Sequence, residues 1–370
     1  MGALDGLLVV AIEQAVAAPM CTVRLADAGA RVIKIERDGG ETARNYDSAV
    51  KGTSAYFAWL NRGKESAVLN LKDPADLTVL RAMLQKADVF VQNLVPGAMS
   101  RMGLSPEELE RDFPQLIAVS ILGYGQDTPY ADMRAYDMLV QAESGLCAVT
   151  GTADTPVKIG VSAADIATGM NAHAAVLEAL IQREKTGRGQ HIEISMFDGI
   201  ADWMAVPLLH YEHGGKVTRR YGLSHASIYP YRPFECSDGA IIVAVQNNAE
   251  WKRLCEGVVE APELLERSEF QTNADRVTNR DTLDAELEPK FASLEVSVAV
   301  ERLEAAGVAF GRYTELTDLP DHPALRRTSV SLPCGETVTM PRPAGRSQEF
   351  STRPVPGLGA HTETIRREFG

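Results

Sequence analysis

The chain has 370 residues, a 45% hydrophobic and 24% charged composition, and 37 Lys and Arg against 50 Asp and Glu. Those fractions belong to an ordinary globular protein of about two domains and exclude a mainly disordered or fibrous one, while a net charge of −13 argues against a general nucleic-acid binder. Five cysteines with no C-x-x-C pair argue against a disulfide framework or a structural zinc and favour a reducing compartment, so a cytoplasmic protein without a metal is expected.

Leu7–Ile12 is a short apolar run suited to a strand buried on both faces. No Lys or Arg precedes it, which distinguishes it from a signal peptide. Helical spacing follows from Pro19 to Ala28, Gly29 stands at the C-cap, and Arg31–Glu36 alternates as a second strand. Strand, helix and strand in thirty residues make a βαβ unit and a parallel sheet. The alternation continues with strands expected at 67–71, 87–91 and 116–121 and a helix from Asp73-Pro74 to about Lys86. A further helix opens at Ser105-Pro106-Glu107-Glu108, which combines an N-cap, a proline at the first helical position and first-turn acids. A strand at 157–161 is expected to lead into a long helix from about Ile166 to Lys185, followed by a strand at 191–196. Residues 225–330 change texture: a proline- and aromatic-rich segment, a strand at 240–245, then mostly helix, including 250–258 and 296–306. The tail from 331 is punctuated by Pro and Gly until a short terminal helix at 362–369. The expected fold is therefore α/β: a doubly wound, Rossmann-like large domain over 1–224, completed by 331–370, and a smaller α+β domain over 225–330. No apolar run is long enough to span a membrane, and no membrane partner is expected.

Three groups of residues invite chemistry. Glu36, ending the second strand, occupies the place of a ribose ligand, but the turn Glu13–Pro19 lacks the glycines a dinucleotide pyrophosphate requires. His210 and His213 share a helix face without a third ligand, so solvated histidines explain them better than zinc. Asp165 is a single carboxylate at the start of the long helix. Its position suits a helix cap first, and also a nucleophile or base at the carboxyl end of a parallel strand, where open α/β sheets bind ligands.

The chain resembles the class III coenzyme A transferases, the family of formyl-CoA transferase and α-methylacyl-CoA racemase. The resemblance rests on an ordered set of short stretches, among them Leu25–Arg37, Asn61–Lys64, Leu69–Lys72, Asn93–Gly97 with Arg101–Gly103, Gly123–Gly125, Asp165 with Thr168-Gly169, Arg183–Gln190, Met196–Asp198 and Leu358–Thr362. It implies transfer of CoA from an acyl-CoA thioester to a carboxylic acid, with Asp165 as a nucleophile that forms an aspartyl mixed anhydride. No tightly bound cofactor is implied; coenzyme A enters as the thioester substrate. The positions it assigns to CoA are Gln14, Ala15, Val16, Arg37, Leu69, Lys72, Asn93, Arg101, Arg134 and Met196. It also implies an interlocked homodimer, and the segment His225–Gly239 with Arg232 leans toward small dicarboxylic acids such as succinate, citramalate, mesaconate or itaconate. Two alternatives stand beside transfer. A racemase or epimerase needs a histidine in the segment Arg134–Asp137, where this chain has Tyr136. In a non-catalytic CoA-binding protein, Asp165 would be only a helix cap.

Overall fold

The computed structural model describes residues 2–370. Six strands, Leu8–Ile12 (β1), Arg31–Glu36 (β2), Lys64–Val68 (β3), Val89–Gln92 (β4), Ile117–Leu122 (β5) and His191–Ser195 (β6), form one parallel sheet in the order β3-β2-β1-β4-β5-β6. Side chains on a strand alternate between faces, and the two faces of this sheet carry separate cores. Val10, Ile12, Ile33, Ile35 and Phe90 point to one face, beneath the helix Pro74–Lys86 and the terminal helix Thr362–Phe369. Val9, Ala11, Val32, Val89 and Val91 point to the other, beneath the helices Ala17–Asp27 and Ala163–Thr186. Burial on both sides explains why these strands are almost continuously apolar. The terminal helix contributes Ile365 and Phe369 to the first core, so the tail completes the domain that the first strand begins.

The helix starts follow local chemistry. Asp73 caps Pro74–Lys86 by accepting from the Ala75 N–H at 2.9 Å, and Ser105 and Glu108 close a reciprocal capping box on Pro106–Asp112. The long helix lies close against Ala17–Asp27 at Gly169, where a Cβ would stand 2.4 Å from the Ala17 carbonyl oxygen and 2.5 Å from the Met20 Cβ. Glycine is the residue that permits that approach.

Two expectations of local structure are corrected. Residues 157–161 are not a strand: Val157 and Val161 are exposed, and the only pairing nearby is an isolated bridge between Gly151 and Pro156. β5 pairs directly with β6, so no strand is inserted between them. The third strand is Lys64–Val68 rather than 67–71. Asn70 and Asp76 turn the chain immediately after it, through an Asn70 N–H bond to the Asp76 carboxylate at 2.7 Å. A hairpin of Arg327–Ser331 with Thr337–Pro341, which the periodicity did not reveal, packs Val330 against Phe57.

Two compact units result. The first comprises 1–146, 158–208 and 326–370; the second comprises 147–157 and 209–325. The expected boundary at 225 thus lies inside the second unit, which also claims 147–157. Arg220 holds that excursion by donating to the carbonyls of Ala148, Thr152 and Ala153. Within this unit, Tyr231–Cys236 (β7), Gly239–Ala244 (β8) and Ala309–Arg312 (β9) form an antiparallel sheet in that order. Phe234, Ile241, Trp251, Phe270, Leu287 and Phe291 fill its core against the helices Asn248–Gly257, Arg280–Ala292 and Val296–Ala306. The fully buried Arg276 guanidinium donates to the carbonyls of Tyr229 and Phe270 and to the Asn248 side chain.

Candidate active site

In the order β3-β2-β1-β4-β5-β6 the chain direction of assembly reverses between β1 and β4, and open α/β sheets bind ligands at the carboxyl ends of the strands there. A cavity of about 880 Å³ lies at that place within the first unit. Its walls are the turn after β1 (14–17), the segment after β4 (93–96), the end of β5 (121–123), the loop 131–138 and the start of the long helix with Asp165. This volume is within the usual range of small-molecule sites, about 300–1,000 Å³.

Each wall is held by identifiable contacts. Asn93 grips the turn after β1 from both sides: its Oδ1 accepts from the Gln14 N–H and its Nδ2 donates to the Gln14 carbonyl, both at 2.9 Å. Ala15 has a left-handed backbone, φ 63°, and its N–H donates to Glu41 Oε2 at 2.8 Å. At the end of β5, a Cβ on Gly123 would meet the Ala135 Cβ at 2.2 Å; glycine there lets the loop carrying Arg134 and Tyr136 close over the strand end.

Asp165 lies in the first turn of Ala163–Thr186, three residues after the N-cap Ser162, whose side chain makes no capping bond. The helix is capped instead by Asp137. Its Oδ1 accepts from the N–H groups of Ala164 at 2.8 Å and Asp165 at 3.3 Å. Its Oδ2 accepts from Gln141 Nε2 at 2.8 Å, and Gln141 Oε1 in turn accepts from the Ile159 N–H at 2.9 Å. Asp165 itself is among the residues that line the cavity. Burial, and secondarily the neighbouring Asp137 charge, push its pKa up to about 7.

The CoA-transferase family III model matches residues 4–362. The chain belongs to this family. The transferase is 34% identical to the succinyl-CoA:glutarate CoA-transferase of Homo sapiens over 375 residues, which cover 99% of this chain and 85% of the relative. It is 35% identical to the acetyl-CoA:oxalate CoA-transferase of Acetobacter aceti over 374 residues, covering 100% and 96%. A crystal structure of a CAIB/BAIF family protein from Brucella suis matches it with a TM-score of 0.83 at 33% identity, covering all of both chains.

Of the residues singled out in the sequence, the transferase brings Gln14, Ala15, Val16, Asn93, Arg134, Asp165 and Met196 to the cavity wall. Arg37, Lys72 and Arg101 are exposed and outside that wall, and the Leu69 side chain is in the core, 2% exposed. Arg37 and Lys72 nevertheless follow β2 and β3 at the same edge of the sheet, and the Arg37 Nε donates to the Gly40 carbonyl. Glu36 is not a ribose ligand: it is 3% exposed and receives the Arg44 guanidinium and the Ser66 hydroxyl. Sequence reasoning missed Asp137, whose cap lies 27 residues from the N–H groups it holds, and Lys158, a second cation in the cavity wall. A lysine seven residues before the carboxylate was the available signal for Lys158. In the second unit, Arg232 pairs with Asp284 at 2.5 Å and with Glu288 at 3.0 Å rather than with its loop neighbours Glu235 or Asp238. Its guanidinium is held by these two acidic side chains.

Proposed function

We propose that this transferase moves CoA from an acyl-CoA thioester to a small dicarboxylic acid, and that Asp165 is the nucleophile. The observation that carries the reading is the division of labour at the helix start: Asp137 supplies the cap, so the Asp165 carboxyl is not needed for it, and Asp165 lines the cavity. A helix cap was the role Asp165 would have in a non-catalytic CoA-binding protein. The acceptor class follows the similar proteins named for glutarate and oxalate. Arg134 and Lys158 in the wall supply cations for acid or thioester groups.

The steps balance without an added reactant. The Asp165 carboxylate attacks the thioester carbonyl, the C–S bond breaks, and a mixed anhydride and CoA thiolate form. Thiolate attack on the aspartyl carbonyl releases the donor acid and leaves an aspartyl-CoA thioester. The acceptor carboxylate repeats the sequence in reverse and leaves as its CoA thioester. One thioester replaces another, so the site lowers barriers by holding the thiolate and the developing oxyanions rather than by supplying energy. Gln14, Ala15, Val16, Asn93 and Met196 contact the thioester end, while Arg37, Lys72 and Arg101 meet the nucleotide phosphates outside the cavity. Racemisation is disfavoured because no histidine is among the cavity-lining residues and Tyr136 occupies the segment that would bear one. A phenol is a poor general base at neutral pH.

A homodimer is the proposed assembly: the helix Ala205–Gly214 has no buried residue and exposes Val206, Leu208, Leu209 and Tyr211. No helix of the described residues is long and apolar enough to cross a membrane. We place the protein in the cytoplasm on its cysteine usage.

The deciding experiment is trapping. Protein incubated with succinyl-CoA and glutarate, then treated with hydroxylamine, should yield glutaryl-CoA before quenching and a hydroxamate on the peptide containing Asp165. Turnover with no hydroxamate at Asp165, or a hydroxamate on another residue, would refute the assignment.

A further inference from the structure

The turn after β1 has no glycine, yet Ala15 at its centre has a positive φ of 63°. Alanine is seldom found there, because its Cβ crowds the backbone. Strained residues persist only where their surroundings impose them, and they gather at functional sites. What imposes this one is visible. Glu41 is 5% exposed, and its Oε2 accepts from the Ala15 N–H at 2.8 Å and from the Ala43 N–H at 3.3 Å. The Glu41 carboxylate thereby joins two walls of the cavity, the turn 14–17 and the short helical turn Thr42–Asn45, whose Thr42 also lines it.

Glu41 is itself fixed from beneath. Its Oε1 pairs with Lys34 Nζ at 2.9 Å; Lys34 pairs with Glu13 at 3.3 Å; and Glu13 pairs with Lys64 at 2.6 Å. Thr22 Oγ1 donates to the second Glu13 oxygen at 2.6 Å, and Lys64 donates to Asn61 Oδ1 at 3.1 Å. All four charged side chains lie within 5% of full burial, and two carboxylates balance two ammonium groups. Burial opposes ionisation of Glu13, but the adjacent Lys64 and Lys34 charges prevail and hold its pKa below the ordinary value. A buried chain of this kind is a poor source of stability, since apolar residues of the same volume commonly do as well. Its geometry is what an apolar core would not reproduce: it ends on one backbone N–H at the cavity.

We propose that Glu41 is a positioning residue for the CoA thioester. Fixed by the chain Lys64–Glu13–Lys34, it holds Ala15 in the left-handed backbone that shapes the thioester end of the cavity. The carboxylate does here what a glycine does in the phosphate-binding turns of other α/β proteins, where the backbone conformation comes at no steric cost. The inference rests on the reading of this cavity as the CoA site.

The test is a rescue. Glu41→Asp keeps the buried charges balanced but withdraws the carboxylate by one methylene from the Ala15 N–H. It should raise KM for the acyl-CoA about tenfold, the loss expected for one hydrogen bond, with kcat and the acceptor KM changed less than about threefold. Adding Ala15→Gly to that variant should recover most of the KM, because glycine adopts positive φ unaided. Glu41→Ala, which leaves the Ala15 N–H no side-chain acceptor, repeats the comparison with and without Ala15→Gly should Glu41→Asp fail to fold. An unchanged acyl-CoA KM in a folded single variant overturns the proposal. So does a double variant no better than its parent, or failure of both single variants to fold with no recovery from glycine, which would make Glu41 a residue of stability alone. Wild-type protein that neither binds nor transfers CoA would instead refute the proposed function, a separate outcome read ahead of any comparison of variants.

Discussion

Replacing Asp165 by asparagine keeps the side chain's size and removes its ionisation, and the fold makes that ionisation unfavourable. The carboxyl pKa stands at about 7 against 3.8 for an unperturbed aspartate, because of burial and then the Asp137 charge. That gap corresponds to about 4 kcal/mol at 1.36 kcal/mol per pKa unit. The group is only partly buried, and the cavity admits water, so about half survives screening, roughly 2 kcal/mol. Loss of a first-turn negative charge from the helix dipole takes back about 0.5 kcal/mol. The net expectation is a variant more stable than wild type by about 1.5 kcal/mol at pH 8, although turnover is lost. The sign depends on pH in a defined way. Below about pH 4 both folded and unfolded chains carry the protonated acid, and the two proteins should melt alike. Between about 4 and 7 the unfolded chain ionises first, so wild-type stability declines relative to the variant; above 7 the difference is constant. Thermal melts of both proteins from pH 4.5 to 8.5 measure it. At about 2–4 °C per kcal/mol, the variant should melt about 3–6 °C higher at pH 8. A difference that is flat across the range, or of opposite sign, would show that the fold does not disfavour this charge and would remove the argument for a tuned carboxylate.

Three further expectations concern the pH profile, Asp137 and, in the second unit, Arg232. Protonated Asp165 cannot attack a thioester, so kcat/KM should rise with pH through about 7 on a single ionisation. Asp137→Asn should shift that midpoint downward by removing the neighbouring negative charge, with Arg134 and Lys158, the cations of the same wall, still in place; an unmoved midpoint would refute the electrostatic account. Arg232→Met should lower the stability of the second unit by about 1–3 kcal/mol by leaving Asp284 and Glu288 without their partner, while preference for glutarate over butyrate stays as in wild type. Loss of that preference without loss of stability would return Arg232 to the acceptor site.

The features legible in the amino-acid sequence by itself are those carried by contiguous signals. The apolar runs of β1, β2, β4 and β5, the proline-led helix starts at Pro74 and Pro106, and Gly187 at the end of the long helix each occupy a few adjacent residues. Alternating strands and helices imply a parallel, doubly wound sheet, because parallel strands require crossovers. Asp165 stands out for the same reason, as a lone acid at a helix start.

The rest depends on residues distant in the chain. Whether an apolar run becomes a strand is decided by pairing and burial, and 157–161 gains neither: Val157 and Val161 stay exposed, and the nearby pairing is the isolated bridge Gly151–Pro156. β3 begins with Lys64-Glu65-Ser66, polar residues that read as a loop until Glu13, Arg31 and Glu36 receive them. Lys34 resembles a solvent-facing residue in an alternating strand, yet it is fully buried because Glu13 and Glu41 flank it. The cap on the helix that carries Asp165 comes from Asp137, and the partners of Arg232 lie more than fifty residues ahead on a helix of the second unit. A charge can be buried only where opposite charges and donors converge on it, and only the tertiary fold brings such partners together.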